Sequence, residues 1–368
     1  MQKRIVIKVG SLAVTDEKGG VDSQKVSNLV SELIRLREMD YLPILVSSGA
    51  INTGRSFIQN SKAEDKVMNV SLAQARAAVG QPLLMQAYIE SFKTHKVTCA
   101  QLLVTHEDFK DRQRFLNIRN TINVLLLNGI LPIVNENDTV SYAEITVGDN
   151  DQLAVMMAEA STAESLVILS EADGLYDKNP KDPTAIRFDV IHFQDDFKNV
   201  KIAAKTSVGR GGMDTKLKAV RKLTPLGVDV ILGTFLESHS LTRLIEKKGG
   251  TLFQGNPEKS SSRHKAWLTT LAKNDSYVVI DEGAKVALTT KNTSLLPIGI
   301  KKVVGKFKRG DVIGIRFQNK LLAVGMTEYD HKEMFLIKGK PSSELLSIIP
   351  EAPSKVAIHR DNLNITGK

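Results

Sequence analysis

Short apolar runs that stop abruptly in polar turns, each followed by a segment of helical spacing, recur through the first two thirds of this 368-residue chain. Residues 5–9 stop at Lys8-Val9-Gly10-Ser11, residues 44–46 at Ser47-Ser48-Gly49-Ala50, residues 130–134 at Asn135-Glu136-Asn137-Asp138, and residues 166–169 at Ser170-Glu171. Between the first two runs, Val26, Leu29, Val30, Leu33, Leu36 and Met39 follow helical spacing behind a cap at Asp22 or Ser23. Helical patterns at 71–79 and 82–92 precede a strand at 97–104 and a polar loop holding Arg112, Arg114 and Arg119. A helix to Leu127 follows, and later a strand at 228–232 and a helix at 241–246. Strands alternating with helices imply right-handed crossovers, so the expected class is α/β, a mainly parallel sheet sandwiched by helices. Ligands of such sheets lie at the carboxyl ends of the strands, where these polar turns collect.

The densest cluster spans 134–138 and 147–151. From Gln152 the chain turns apolar at helical spacing through Leu153, Val155, Met156, Met157 and Ala160, which places Asp149, Asn150 and Asp151 at a helix entrance. One helix start uses one cap. Asn135, Asp138 and the remaining acids and amides are then left facing a common opening, a candidate binding site. Lys8, Gly10 and Ser11 suit an approaching anion, and a plain turn explains them equally well. The run Gly209-Arg210-Gly211-Gly212-Met213-Asp214-Thr215-Lys216, opening a helix at 216–223, suits a phosphate cradle. Its spacing is not that of a Walker A loop, and a surface loop accounts for it equally.

With 42% hydrophobic residues the chain can build an ample core, and no apolar stretch reaches the roughly 18 residues of a membrane span. A cytoplasmic protein with no membrane partner is expected. The sole cysteine, Cys99, excludes an intrachain disulfide and a cysteine-ligated zinc site, and reads as a small buried core residue. Residues 248–262 read as a linker or domain edge. Beyond them the pattern changes to short strand-like runs at 277–280, 298–304, 312–317, 321–326 and 334–337, a small all-β barrel. Net charge is +9, and residues 263–368 carry 18 Lys+Arg against 10 Asp+Glu, which is +8. Such a surplus is compatible with an RNA-facing surface or with a solvated lysine-rich face.

Taken in order, Lys8-Val9-Gly10-Ser11, Ser47-Ser48-Gly49-Ala50, Asn135-Glu136-Asn137-Asp138, Gly148-Asp149-Asn150-Asp151 and Gly211-Gly212-Met213-Asp214-Thr215-Lys216 resemble the amino acid kinase family. Within it they resemble the members that phosphorylate the side-chain carboxylate of L-glutamate, as does Arg112-Gln113-Arg114-Phe115-Leu116-Asn117. Residues 275 to about 350 resemble the PUA domain that many bacterial members carry. The expected division is a kinase domain over 1–255, a linker over 256–274, and a PUA-like β-barrel with a C-terminal tail over 275–368.

The resemblance implies ATP-dependent formation of L-glutamyl 5-phosphate, the first step of proline biosynthesis. Lys8 and Lys216 would flank the transferred phosphoryl group and Asp151 would hold them. Ser48, Asn135, Asp138, Asp149 and Asn150 would bind glutamate, the acids answering its α-ammonium and the amides its α-carboxylate. ATP would meet Lys8, Gly10, Ser11, Gly49, Ser170, Glu171, Arg210, Gly211, Gly212, Met213, Asp214, Thr215 and Lys216. Mg²⁺ would accompany it, held largely by phosphates and water, with no metal ligand supplied by the protein. The family also implies a dimer or tetramer, inhibition by proline, and possible RNA contact through the C-terminal domain. Rival readings are a member acting on aspartate, N-acetylglutamate or carbamate, or an RNA-binding protein that keeps a kinase-like domain. The last predicts a lost lysine or aspartate, and Lys8, Asp151 and Lys216 are all present.

Overall fold

Ile5, Val6, Ile7 and Val9 are fully buried on both faces of one strand, which is why the run is continuously apolar rather than alternating. In the computed structural model, which describes residues 2–58, 66–140, 150–180, 182–195, 212–235, 240–259, 268, 272–291 and 293–366, this is β1 (Lys3–Val9). The strands that follow are β2 (Tyr41–Ser47), β3 (Cys99–Val104), β4 (Leu131–Glu136), β5 (Ser165–Ser170), β6 (Leu175–Tyr176), β7 (Arg187–Phe188), β8 (Val190–Ile191), β9 (Asp229–Thr234) and β10 (Thr251–Phe253). Eight of them form one sheet in the order β3-β4-β2-β1-β5-β9-β10-β8, and β6 and β7 pair separately. The parallel register sets Val9 beside Ser47 and Leu169, and Val46 beside Val134, so the ends of β1, β2, β4 and β5 lie level. The one reversal is at β10, antiparallel to β9, inside the stretch whose glycines and polar residues read as a linker. Its three residues, Thr251, Leu252 and Phe253, are all buried, and that burial overrides the local turn signals.

The helices of this unit are α1 (Ser23–Glu38), α2 (Ala50–Thr53), α3 (Lys66–Thr94), α4 (His106–Lys110), α5 (Arg112–Leu127), α6 (Asp151–Ala160), α7 (Met213–Leu223) and α8 (Ser240–Ile245). They cover both faces of the sheet. Val6, Val46, Val134 and Ile168 pack with Ile122, Leu153, Met157 and Val220 on one side. Ile7, Leu45, Ile133 and Val167 pack with Leu33, Tyr88, Phe92 and Leu241 on the other. Asp22 caps α1 by accepting from the Gln24 and Lys25 backbone N–H groups, while Met39 lies past its end and is partly exposed.

Four local expectations are corrected. One continuous helix, α3, runs through Pro82 where the spacing suggests two. Proline removes one backbone bond, but Ala77, Leu84, Tyr88 and Phe92 on either side are all buried and hold both halves in line. The polar stretch with Arg112, Arg114 and Arg119 is helical: a capping box between Thr105 and Asp108 starts α4, and Asp111, accepting from the Arg114 N–H, starts α5. Helix α7 begins at Met213 rather than Lys216. Cys99 is half-buried on edge strand β3, and its partial burial still pushes the thiol pKa up.

The chain forms two compact units, Met1–Ser260 and Ser261–Lys368. In the second, β11 (Lys273–Ile280), β12 (Ile300–Val304), β13 (Val312–Phe317), β14 (Lys320–Thr327) and β15 (Ile358–Ile365) form a sheet in the order β12-β11-β13-β14-β15. Its neighbours are antiparallel except β11 and β13. Helices α9 (Glu282–Lys291), α10 (His331–Ile337) and α11 (Leu345–Ile348) accompany it. Residues 334–337, expected as a strand, belong to α10. Asp330 accepts from the Lys332 and Glu333 N–H groups, Glu333 accepts from the Asp330 N–H, and Met334 and Ile337 are buried one turn apart.

Candidate active site

Lys8 is the penultimate residue of β1, and its ammonium lies 2.7 Å from Oδ1 of Asp151, the first residue of α6. The other carboxylate oxygen lies 3.2 Å from Nζ of Lys216, in the first turn of α7, and 3.0 Å from the Thr215 hydroxyl. All three charges are buried: Lys8 is 7% exposed, Lys216 6% and Asp151 0%. Removing charges from water costs several kcal/mol each even when they are paired. The N-terminus of α6 favours the Asp151 carboxylate. Together the three side chains carry one positive charge at the level where four strands end, which suits a phosphoryl group.

Two glycines leave room beside this cluster. A Cβ on Gly10 or on Gly212 would meet no atom of the described residues within 4 Å. Gly212 precedes α7 as its N-cap, so its surroundings stay open to a ligand at backbone distance. Gly49 differs: its φ of +122° is open to glycine, and a Cβ would lie 2.9 Å from Cγ2 of Val14. Ser11 opens the short turn after Gly10, and Met213 and Asp214 lead into Lys216 on α7. Ser170 donates to the Ala172 carbonyl of its own turn, and Glu171 follows it at the exposed end of β5. Asp149, Arg210 and Gly211 lie outside the described residues. Among the described residues no group of His, Cys, Asp and Glu has the arrangement to hold a metal ion.

The expected glutamate residues form a second, amide-centred network. Asn150, 1% exposed, donates through Nδ2 to Ser48 Oγ (2.9 Å), Asn135 Oδ1 (2.9 Å) and the Ser47 carbonyl (3.3 Å). Asn135 Oδ1 also accepts from the Glu136 N–H at 2.9 Å, and Asn135 Nδ2 donates to Gln81 Oε1 at 2.9 Å. The Asn150 amide hydrogens and one of those on Asn135 are thus aimed at protein acceptors, against their reading as donors to a substrate carboxylate. Asp138 is buried just beyond β4. Sequence reasoning passed over Gln81 and Tyr88. Both lie on the buried side of α3, seven residues apart, and the Tyr88 hydroxyl is 2.8 Å from Ser47 Oγ. Burial pushes the Tyr88 phenol above its ordinary pKa, which keeps it neutral. Two polar groups at helical spacing among apolar neighbours were the available signal.

Residues 3–232 match the Amino acid kinase family, and residues 276–349 match the PUA domain. The chain belongs to the amino acid kinase family. Over its whole length this family member is 42% identical to the Glutamate 5-kinase of Dictyoglomus turgidum across 371 residues, covering 98% of that relative. It is 38% identical to Glutamate 5-kinase 1 of Bacillus licheniformis across 346 residues, covering 93% of this chain and 94% of that one. Carbamate kinase from Giardia lamblia bound to AMP-PNP shares the fold at 17% identity and a TM-score of 0.51, covering 69% of this chain and 99% of that one. The fold and family implied by the motifs are therefore those found. No helix among the described residues of this amino acid kinase is long and apolar enough to cross a membrane.

Proposed function

We propose that this protein transfers the γ-phosphoryl group of ATP to the side-chain carboxylate of L-glutamate, forming L-glutamyl 5-phosphate and ADP as the first step of proline biosynthesis. The observation that carries the reading is the buried Lys8–Asp151–Lys216 cluster at the level strand ends, in a chain whose full-length relatives are glutamate 5-kinases. A glutamate carboxylate is ionised at neutral pH and needs no general base. One carboxylate oxygen forms a bond to the γ-phosphorus while the bond from that phosphorus to the bridging oxygen of ADP breaks. Two anions must approach, and charge moves onto the bridging oxygen as it leaves. Lys8 and Lys216 supply the neutralising charge and Asp151 holds them at fixed separation.

Gly10, Ser11, Gly49, Gly212, Met213, Asp214 and Thr215, with Arg210 and Gly211, form the phosphate side of the nucleotide site. Ser170 and Glu171 meet the remainder of ATP. Ser48, Asn135, Asp138, Asp149 and Asn150 form the glutamate site, the two acids answering the α-ammonium. Mg²⁺ enters with ATP, held by phosphate oxygens and water. The open space at Gly10 and Gly212 fits such a complex. Proline carries the same α-carboxylate and α-ammonium relationship and would act as inhibitor at these contacts. A cytoplasmic dimer or tetramer, divided into a kinase domain (1–255), linker (256–274) and PUA-like domain (275–368), completes the reading. The +8 surplus over residues 263–368 supports an RNA partner for the last.

The test is ATP-dependent hydroxamate formation in the presence of hydroxylamine, with L-glutamate set against aspartate and N-acetylglutamate. L-Glutamate is expected to be the acceptor used. An equal or faster rate with either competitor overturns the assignment.

A further inference from the structure

Helix α3 is seated on α2 with unusual closeness at Gly80, where a Cβ would lie 1.9 Å from the Ala50 carbonyl oxygen. The next residue, Gln81, is 8% exposed and accepts from Asn135 Nδ2. The polarity of the amides beyond it is set by backbone groups. The Glu136 N–H donates to Asn135 Oδ1, which turns Asn135 Nδ2 toward Gln81. Asn150 Nδ2 faces two oxygens that can only accept, the Ser47 carbonyl and Asn135 Oδ1. Its own Oδ1 is therefore directed away from them, and it is buried without a hydrogen-bond partner among the described residues. A buried carbonyl oxygen with no partner among the described residues leaves a place for a donor from a ligand. An ammonium, with three donors and no acceptor, matches it; a carboxylate does not.

We propose that Gln81 is a positioning residue for the amino-acid substrate, fixing the Asn135 amide so that Asn150 presents Oδ1 to the substrate ammonium. The inference rests on the glutamate reading above and names a residue outside the strand-end motifs. Without the Gln81 acceptor, only the Glu136 N–H holds the Asn135 amide, and the oxygen to which Asn150 donates is less firmly placed.

The test uses the purified full chain with Gln81→Met, which keeps length and approximate volume but removes the acceptor. KM for L-glutamate should rise about tenfold, while kcat and the ATP KM stay within about twofold. The inhibition constant of glutarate, a dicarboxylate lacking the ammonium, should stay within about twofold of wild type. An unchanged glutamate KM, or equal weakening of glutamate and glutarate, overturns the proposal, the second because it marks general collapse of the site. If Gln81→Met does not fold, Gln81→Glu, which keeps an acceptor oxygen, has to hold the glutamate KM within about threefold, and a tenfold rise there overturns it as well. Failure of the wider reading shows separately, as a wild-type protein that does not phosphorylate L-glutamate.

Discussion

Lys8 and Lys216 approach one carboxylate from two different elements, and their common target is charge that develops during transfer. Lys8→Ala and Lys216→Ala are each expected to lower kcat by at least about 100-fold with little change in glutamate KM, measured by initial rates. Activity equal to wild type in either variant removes that lysine from the mechanism. Asp138 is buried among the proposed glutamate residues. Asp138→Asn keeps its shape and removes its charge, so glutamate KM should rise about tenfold or more while ATP KM stays put. A loss confined to ATP would move Asp138 out of the amino-acid site. At Gly10 a methyl group meets no atom of the described residues. Gly10→Ala should therefore leave the melting temperature unchanged and raise the ATP KM, because the methyl occupies ligand space.

At the scale of elements, α3 packs closely on α2 and the turn that follows it. Gly80 faces the Ala50 carbonyl and Gly54 faces the Arg76 carbonyl, where a Cβ would lie at 1.9 and 2.0 Å from backbone oxygen. Gly80→Ala should destabilise the first unit by roughly 3 kcal/mol or more, since backbone rather than a flexible side chain must yield. Urea unfolding measures this, and an unchanged midpoint would mean that α2 and α3 separate without cost. Helix α10 gives an element-scale pH effect. The Glu333 N–H donated to Asp330 holds the Asp330 carboxyl below its ordinary range, and the Arg309 guanidinium does the same for Glu333. Both folded pKa values are depressed, so this contribution is present above the unfolded values and is lost as pH falls through the folded ones. Stability of the second unit should therefore decline as pH drops below about 4, and Arg309→Leu should flatten that decline in thermal unfolding. An equally steep decline in the variant would show that the pair does not hold α10.

At the scale of the molecule, each unit has its own apolar core. One core lies on both faces of the eight-stranded sheet, and another is built from Val278, Ile313, Ile315, Tyr329 and Met334. The proposed catalytic residues all precede Ser260. A chain ending after Ser260 should fold and retain phosphoryl transfer, judged by circular dichroism and the hydroxamate assay. A folded but inactive product would assign the second unit a part in catalysis. If the basic surplus serves RNA, affinity of the full chain for RNA should fall steeply between low and physiological salt, and truncation should abolish it.

Residue order alone carried the alternation of strands and helices, hence a parallel sheet with polar turns at one edge, because side-chain periodicity follows secondary structure directly. The same order placed Lys8, Asn135, Asn150, Asp151 and Lys216 at strand ends and helix starts. Residues 248–262 and 334–337 misled, since a three-residue strand and a two-turn helix owe their existence to neighbours that bury them. Tertiary structure decided that Lys8 and Lys216, 208 positions apart, share one carboxylate. It also decided the direction of each amide, which depends on the neighbouring Glu136 N–H for Asn135 and on the Ser47 carbonyl, brought in by β2, for Asn150. Gln81 escaped a reading by motif for the same reason: it bonds across 54 positions to Asn135, and hydrogen-bond polarity at that range is a property of three-dimensional packing.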